Sequence, residues 1–559
     1  MPLIATLLRA SPALFAAAFA AALVCGLGGA ALVMLINAAL NTPPERLVAT
    51  LIPFVLVAVL VMTAQAGSRA LFAHLGQRCL GRIRREIAEA ILRAPYQRLE
   101  RVGQARMRSA FSDDAVNIAN FGVGFPVVVT NLVVVLGALG YLAWLSLGVF
   151  AVALVLIALG SFGYHLSHRK VVEHLRRAGF SQDRLYGDFD ALLGGAKELK
   201  LNETKARRFL DRDLAGAIGA VGTDRARGLS LLALSDGWGR FLFMFLIGVA
   251  LFARLWLPGE SAGIVTGYVI AFLYLMGPLE GVLAHLPYVN LARVAIGRVQ
   301  GVLSDLAAEP VDPSVRIPET PRSITLEGVT HGYFREREED VFTLGPIDLT
   351  LVPGEATFVV GGNGSGKTTL AKLVTGLYAP EGGRIRVDGA AVGDAGRQAY
   401  RQLFSAIYAD FQLFETLLEA PSGRLDARAN EWLAKLHLDR KVTVSDGAFS
   451  TRDLSQGQRK RLALVAACVE DRPVMVFDEW AADQDPAFKD VFYRELLPEL
   501  KARGKTLVVI THDDRYFDLA DRLVKLEGGR IVETGPSQPR EPIDPSVAAL
   551  RLAAGGASA

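Results

Sequence analysis

Residues Gly361–Thr368 read GGNGSGKT. They follow a strand-like apolar run, Ala356–Val360, and precede a helix-like stretch, Leu370–Gly376. A glycine-rich loop in that position is a phosphate cradle: backbone N–H groups turn in towards phosphate oxygens, and the helix N-terminus adds favourable partial charge. Gly361, Gly362, Asn363, Gly364, Ser365 and Gly366 supply the cradle, with Thr369 behind it. Lys367 can reach β- and γ-phosphates, and Thr368 can ligate magnesium. The carboxy-terminal half is therefore expected to be an α/β P-loop NTPase domain.

Further along, the apolar run Val474–Phe477 ends in two acids, Asp478 and Glu479. Such a strand end supplies what the phosphate loop lacks. Asp478 would hold magnesium, and Glu479 would orient and deprotonate an attacking water. Val474–Phe477 and Leu507–Ile510 both read as fully buried parallel strands. Between them and the loop, Leu454–Gln458 reads LSQGQ and runs into Arg459, Lys460 and Arg461. A serine and open backbone at a helix N-terminus make an anion site. The α/β pattern extends over about 324–535. Residues 309–323, with four prolines, read as a linker, and 536–559, rich in Pro, Ala, Ser and Gly, as a disordered tail.

The amino-terminal half is different. The chain has 559 residues, is 51% hydrophobic and carries a net charge of +3. That balance, with no basic aromatic stretch, argues against nucleic acid as a partner. A membrane helix needs about 20 apolar residues, and six stretches qualify: 12–40, 48–71, 121–145, 147–165, 234–256 and 264–286. The first is too long for a secretory signal core and reads as a retained helix. Links 41–47, 146 and 257–263 are short and nearly uncharged, whereas 76–120 and 167–229 are long and rich in Arg and Lys. Positive links favour the cytoplasm, so both termini are expected there. The long links have helical periodicity and should form stalks that turn near 95–103 and 186–201. Residues 1–308 would thus be an all-α membrane domain of six transmembrane helices. Cys25, Cys79 and Cys468 lack metal or disulfide spacing and read as buried apolar residues.

LSQGQ resembles the LSGGQ signature of ATP-binding cassette transporters, with Ser455, Gly457 and Gln458 matching and Gln456 replacing a glycine. The resemblance implies that this segment contacts the γ-phosphate of an ATP held by a second cassette. It also implies roles for Gln412 (magnesium and coupling), Asp485 (dimer interface), His512 (switch histidine on the γ-phosphate) and Tyr333 (adenine stacking). It implies ATP and Mg2+ as cofactors and an exporter-type membrane domain with long intracellular helices. Phe477–Pro486, FDEWAADQDP, stands where most cassette exporters carry Ser-Ala-Leu-Asp. This stretch, the tract 497–517 and the short gap from Gln412 to Leu454 look like bacterial exporters of cyclic peptides, peptide siderophores and lasso-peptide microcins. The short gap implies a small helical subdomain, and 445–453 lacks a TEVGERG-like segment.

The implied function is ATP-driven export of a small modified peptide across the bacterial inner membrane by a homodimer in which two cassettes close on two ATPs. A lipid or lipid-linked glycan flippase is the alternative. An ATP-gated channel is less favoured because Glu479 and His512 are intact. Few residues precede the first helix, so no leader-peptidase domain is expected. Charged groups within membrane helices are functional candidates: His165, Asp236, Arg240, Glu280 and His285. They could line a cargo cavity, or pair with each other, or sit at the cytoplasmic interface.

Overall fold

The computed structural model describes residues 2–252, 262–333, 342–420 and 422–536. Of the tail expected to be disordered, 536–559, all but Pro536 lies outside them. The chain divides into two compact units. One holds the residues up to Ala88 together with Ala105–Val302. The other holds Glu89–Gln104 together with the residues from Leu303 on.

The first unit is helical. Its long helices are α1 (Pro12–Leu40), α2 (Leu47–Arg93), α3 (Ala115–Leu145), α4 (Leu147–Gly194), α5 (Ala215–Leu251) and α6 (Ala262–Asp305). Pro12 starts α1 because its fixed φ suits the first helical turn and its missing N–H costs nothing there. Among the described residues, five helices are long and apolar enough to cross a membrane, and the apolar Leu147–Ala158 opens α4 where the remaining span was expected. The most apolar window of the α2 segment is not buried by the protein at all. Val48, Leu51, Ile52, Leu56 and Met62 are all exposed, a surface that only a lipid environment satisfies.

Close packing in this unit relies on small residues. A Cβ on Gly26 would come within 2.6 Å of Val133 Cβ, and one on Gly29 within 2.7 Å of the Tyr274 hydroxyl. The missing side chains let α1 approach its neighbours. One buried polar group is satisfied internally: Asn37 Nδ2 donates to the Tyr141 hydroxyl at 2.8 Å, and Thr266 Oγ1 donates to Asn37 Oδ1 at 3.1 Å. All three cysteines are buried and free, as read from the sequence.

Helices α2 and α4 run on well past their apolar stretches, as the basic links implied. The first turn falls where expected. Pro95 breaks α2, Tyr96–Val102 forms a short tip helix, and Gly103 ends it at φ 77. The second turn opens within the expected stretch, 186–201, towards its far end. Residues 186–194 remain helical within α4, and the chain turns at Gly195 and again at Asn202, whose side chain caps Glu203–Arg208 by accepting from Lys205 N. The cap and the glycine pair at 194–195 outweigh the helix-compatible residues before them.

The second unit is built on strands β1 (Ile324–Tyr333), β2 (Phe342–Leu351), β3 (Ala356–Gly361), β4 (Gly382–Val387), β5 (Ala390–Ala391), β6 (Phe404–Ile407), β7 (Val474–Asp478), β8 (Thr506–Ile510), β9 (Arg522–Glu527) and β10 (Arg530–Gly535). A four-stranded antiparallel sheet has the order β2-β1-β4-β5. A six-stranded sheet has the order β10-β9-β3-β8-β7-β6, with β9, β3, β8, β7 and β6 parallel. Both β7 and β8 are buried along their whole length, because each face of the sheet is covered. Phe358, Phe477 and Val509 enter one core with Trp432, Leu433 and Trp480. Val359, Val476 and Val508, one position along, enter a second core with Leu370 and the antiparallel sheet. Between Gln412 and Leu454 the described residues hold one α-helix, α7 (Gly423–Lys435), capped by Ser422, so this subdomain is small, as expected.

Candidate functional site

The phosphate loop connects β3 to a helix, Lys367–Val374. Gly364 and Gly366 take φ of 76° and 102°, which only glycine adopts without strain. A Cβ on Gly361 would lie 2.3 Å from Leu526 O, so that position is closed to other residues. Lys367 is buried and donates Nζ to Gly361 O at 3.2 Å and Gly362 O at 3.0 Å. Its Nζ stands 3.9 Å from Glu479 Oε1. Burial lowers the Lys367 pKa, opposed by Glu479 and Asp478.

Asp478 ends β7 fully buried, and neither of its carboxylate oxygens has a hydrogen-bond partner. Burial pushes its carboxyl above the usual range, with Thr368 and Lys367 pulling the other way. An unpartnered buried carboxylate is costly unless something cationic completes it. A hard divalent cation takes such oxygen donors, so the residues present fit magnesium. The Ser365 hydroxyl is likewise sealed and unpartnered, aimed within the loop that would receive phosphate.

Glu479 follows at φ 51, in the left-handed region. Its N–H donates to Ile510 O at 3.1 Å, which ties it to the end of β8. Two residues on, His512 Nε2 lies 2.9 Å from Glu479 Oε1. The parallel register of β7 and β8 brings this pair together across 33 positions of sequence. Both residues line a cavity of about 350 Å3 with Thr511, Asp513, Lys489 and Tyr493. The strained backbone at Glu479 is held from both sides, a common feature of residues that must point one way.

Ser455 is the N-cap of α8 (Gln456–Glu470). Its hydroxyl accepts from Gln458 N, and Gln458 Oε1 accepts from Ser455 N, so Gln458 is committed to a capping box. Ser455 and Gln456 are exposed. Among the described residues no hydrogen bond joins them to Gly361–Thr369 in the same chain. Asp485 caps the turn starting at Pro486 and pairs with Arg461 at 2.8 Å. Gln412 is exposed in the loop after β6. The side chains of Tyr333, His165 and Asp236 lie outside those described. In the membrane unit, Arg240 Nε and Glu280 Oε1 are 3.3 Å apart, both well exposed on the chain. His285 Nδ1 donates to Gly281 O at 2.8 Å.

Sequence reading missed a cluster around the first stalk tip. Lys372, one turn into the helix after the phosphate loop, donates to Glu100 Oε1 at 2.8 Å. The Tyr378 hydroxyl donates to the other oxygen of Glu100. The Lys372 ammonium lies over the Tyr96 and Tyr378 rings. Gln97 Nε2 sits 3.4 Å from His331 Nε2, two residues before Tyr333 on β1. The tip therefore touches both the helix behind the phosphate loop and the strand leading to the expected adenine residue. No local signal marks it, because Glu100 and Lys372 are 272 residues apart.

His331 makes this cluster sensitive to pH. Burial lowers its pKa, opposed by Glu381 and Glu100 and reinforced by Arg101. Below about pH 6.5 the unfolded chain takes up a proton that the folded state refuses. Stability is thus present above that pH and lost as pH falls through it. His331→Gln should flatten the fall in melting temperature between about pH 7.5 and 5.5. An equally steep fall in the variant assigns the effect to other groups.

Residues 344–482 match the family model described as ABC transporter, and 13–175 match that of the ABC transporter transmembrane region. Over 532 residues the chain is 36% identical to the ATP-binding protein SyrD of Pseudomonas syringae pv. syringae, covering 91% of this chain and 92% of that protein. It is 28% identical to an ATP-dependent lipid A-core flippase of Ralstonia nicotianae, covering 87% and 84%. A flippase of the same description from Alkalilimnicola ehrlichii is 27% identical, covering 83% and 80%.

Proposed function

This chain belongs to the ABC transporter family as a multi-pass exporter driven by ATP hydrolysis, and from that premise we propose that two copies export a small modified peptide across a bacterial inner membrane. The observation that carries the pairing is a division of labour. Lys367, Asp478, Glu479 and His512 gather at one place, while Ser455 presents a capped helix start that, among the described residues, no hydrogen bond joins to the phosphate loop. A second copy, turned about a two-fold axis, would complete both sites.

In this reading Lys367 binds the terminal phosphates. Thr368, Asp478 and Gln412 would hold Mg2+, which when bound spreads the charge that develops on the phosphates. Glu479 accepts a proton from the attacking water, and His512 fixes the carboxylate that does so. Closure of the cassettes would move the stalk tips and open the membrane domain outward, with both termini in the cytoplasm. Residues 1–308 would act as the membrane domain and 324–535 as the cassette, with Tyr333 stacking on adenine and Asp485 at the dimer interface.

The peptide cargo is favoured by the likeness of Phe477–Pro486 to exporters of cyclic peptides and peptide siderophores. A lipid substrate is the second reading, favoured by similarity to flippases along most of the chain. The pair Arg240–Glu280 lies about six residues inside the cytoplasmic ends of two expected spans, roughly 9 Å deep at 1.5 Å per residue. A charged pair exposed at that depth would face a cargo cavity rather than lipid.

Reconstituted into inside-out vesicles, the protein should accumulate a small cyclic peptide in an ATP-dependent way and should not flip lipid A. Glu479→Gln should abolish uptake, and Glu280→Gln should raise the KM for the peptide. Lipid A movement without peptide uptake would replace the first reading by the second. An unaltered KM would remove Glu280 from the cavity.

A further inference from the structure

Two of the places where this cassette departs from the usual exporter pattern meet in space. Gln456 replaces the signature glycine, and its Nε2 donates to Asp483 Oδ2 at 3.1 Å. Asp483 lies in the unusual stretch that follows Glu479, and it also takes Lys460 Nζ at 2.8 Å. Lys460 is buried, and the same ammonium donates to the backbone oxygen of Glu479 at 3.2 Å. Next to Asp483, Gln484 Nε2 donates to Gly457 O at 3.0 Å, while its Oε1 accepts from Arg461 Nε at 2.9 Å. Trp480 closes the set by donating Nε1 to Lys460 O at 2.9 Å. A glycine at 456 could not reach Asp483, and an apolar residue at 484 could not hold Gly457.

We infer that Gln456, Asp483 and Lys460 form a strap that lets each signature segment, on meeting the partner copy's ATP, position its own chain's Glu479. The inference rests on the homodimer reading. Lys460 is a buried cation with two acceptors, and buried hydrogen-bonded charges tolerate little displacement because an unpaired one is strongly penalised. Movement of the first turn of α8 therefore pulls on the Glu479 carbonyl. The N–H side of Glu479 is already fixed on Ile510. Between these two anchors the residue sits at φ 51, where small shifts of the backbone redirect the side chain. Gln456, Asp483 and Lys460 are positioning residues in this role: they act on the reaction through Glu479.

The strap links two sites, since the signature serves one ATP and Glu479 the other. Coupling of that kind appears as cooperativity, with a Hill coefficient between about 1 and the number of sites. The test uses the full chain in lipid nanodiscs. The mass of the Glu479→Gln form with ATP is measured first; if it is monomeric the homodimer reading fails, independently of the strap. With the dimer present, the wild type should hydrolyse Mg-ATP cooperatively. Gln456→Gly and Asp483→Ala should both bring the Hill coefficient to about 1 and lower kcat about tenfold, and Asp483→Ala should do so with the Kd for a non-hydrolysable ATP analogue unchanged. Asp483→Glu should restore cooperativity. A non-cooperative wild type, or variants that keep its cooperativity, overturn the strap. So does a kcat that falls only in step with nucleotide affinity and melting temperature, which marks a packing role alone.

Discussion

Glu479→Gln is expected to lower ATP turnover by at least about 10²-fold, the range that a positioned general base contributes. The replacement is nearly isosteric. Its amide oxygen can still accept from His512, which lies 2.9 Å from Oε1. The backbone at φ 51, tied to Ile510, has no reason to move. What disappears is a carboxylate able to take a proton, together with the charge 3.9 Å from Lys367. Nucleotide affinity should therefore survive, and ATP should accumulate on the protein unhydrolysed. Single-turnover hydrolysis and equilibrium binding measured on the same sample separate the two effects. Turnover within about twofold of wild type would place the base elsewhere.

Trp480→Ala should cost the cassette about 3–5 kcal/mol, the usual range for deleting a large buried aromatic side chain. The indole is 1% exposed, lies 4.4 Å from the Phe492 ring centroid and 6.2 Å from that of Phe488, and sits in the core beneath the β7–β8 side of the sheet. Its hydrogen bond to Lys460 O adds about 1 kcal/mol. Trp480→Phe keeps much of the volume and should lose clearly less. Pulse proteolysis across a urea series reads the cassette within the full chain. A loss under about 1 kcal/mol for the alanine variant would mean that the site collapses around the missing ring. The residue also matters for function. It stands directly after Glu479, so a void there loosens the same anchor that Lys460 supplies from the other side.

Much of the ATP site was readable in one dimension, for a physical reason. The phosphate loop, the acids ending β7 and the capped start of α8 each act through neighbours within a few residues. Glycines set their own backbone angles, a strand fixes where its last side chain stands, and an N-cap satisfies donors three residues away. Apolar length also announced the membrane helices, since no other solvent accommodates α2. The basic links foretold the stalks and located the first turn, which Pro95 and Gly103 enforce. The second turn opened inside the stretch expected for it, at Gly195, but helical periodicity does not reveal which of several compatible residues will yield.

The remainder depended on which segments meet. Glu479 and His512 are partners only because β7 and β8 lie side by side in register. Glu100 finds Lys372 and Tyr378, and Gln97 finds His331, through contacts that no periodicity encodes. Gln456 looked like an isolated departure from LSGGQ until the fold put it against Asp483. Arg240 and Glu280, two of the five membrane-helix charges for which pairing was one expectation, are the two that the fold sets 3.3 Å apart. Local geometry and hydrophobic length are properties of short stretches, so the sequence by itself determined the membrane helices, the cassette and most of its chemical groups. Burial and pairing are properties of the packed chain, so only the tertiary structure decided which groups hold one another and brought Lys460 of α8 to the backbone oxygen of Glu479.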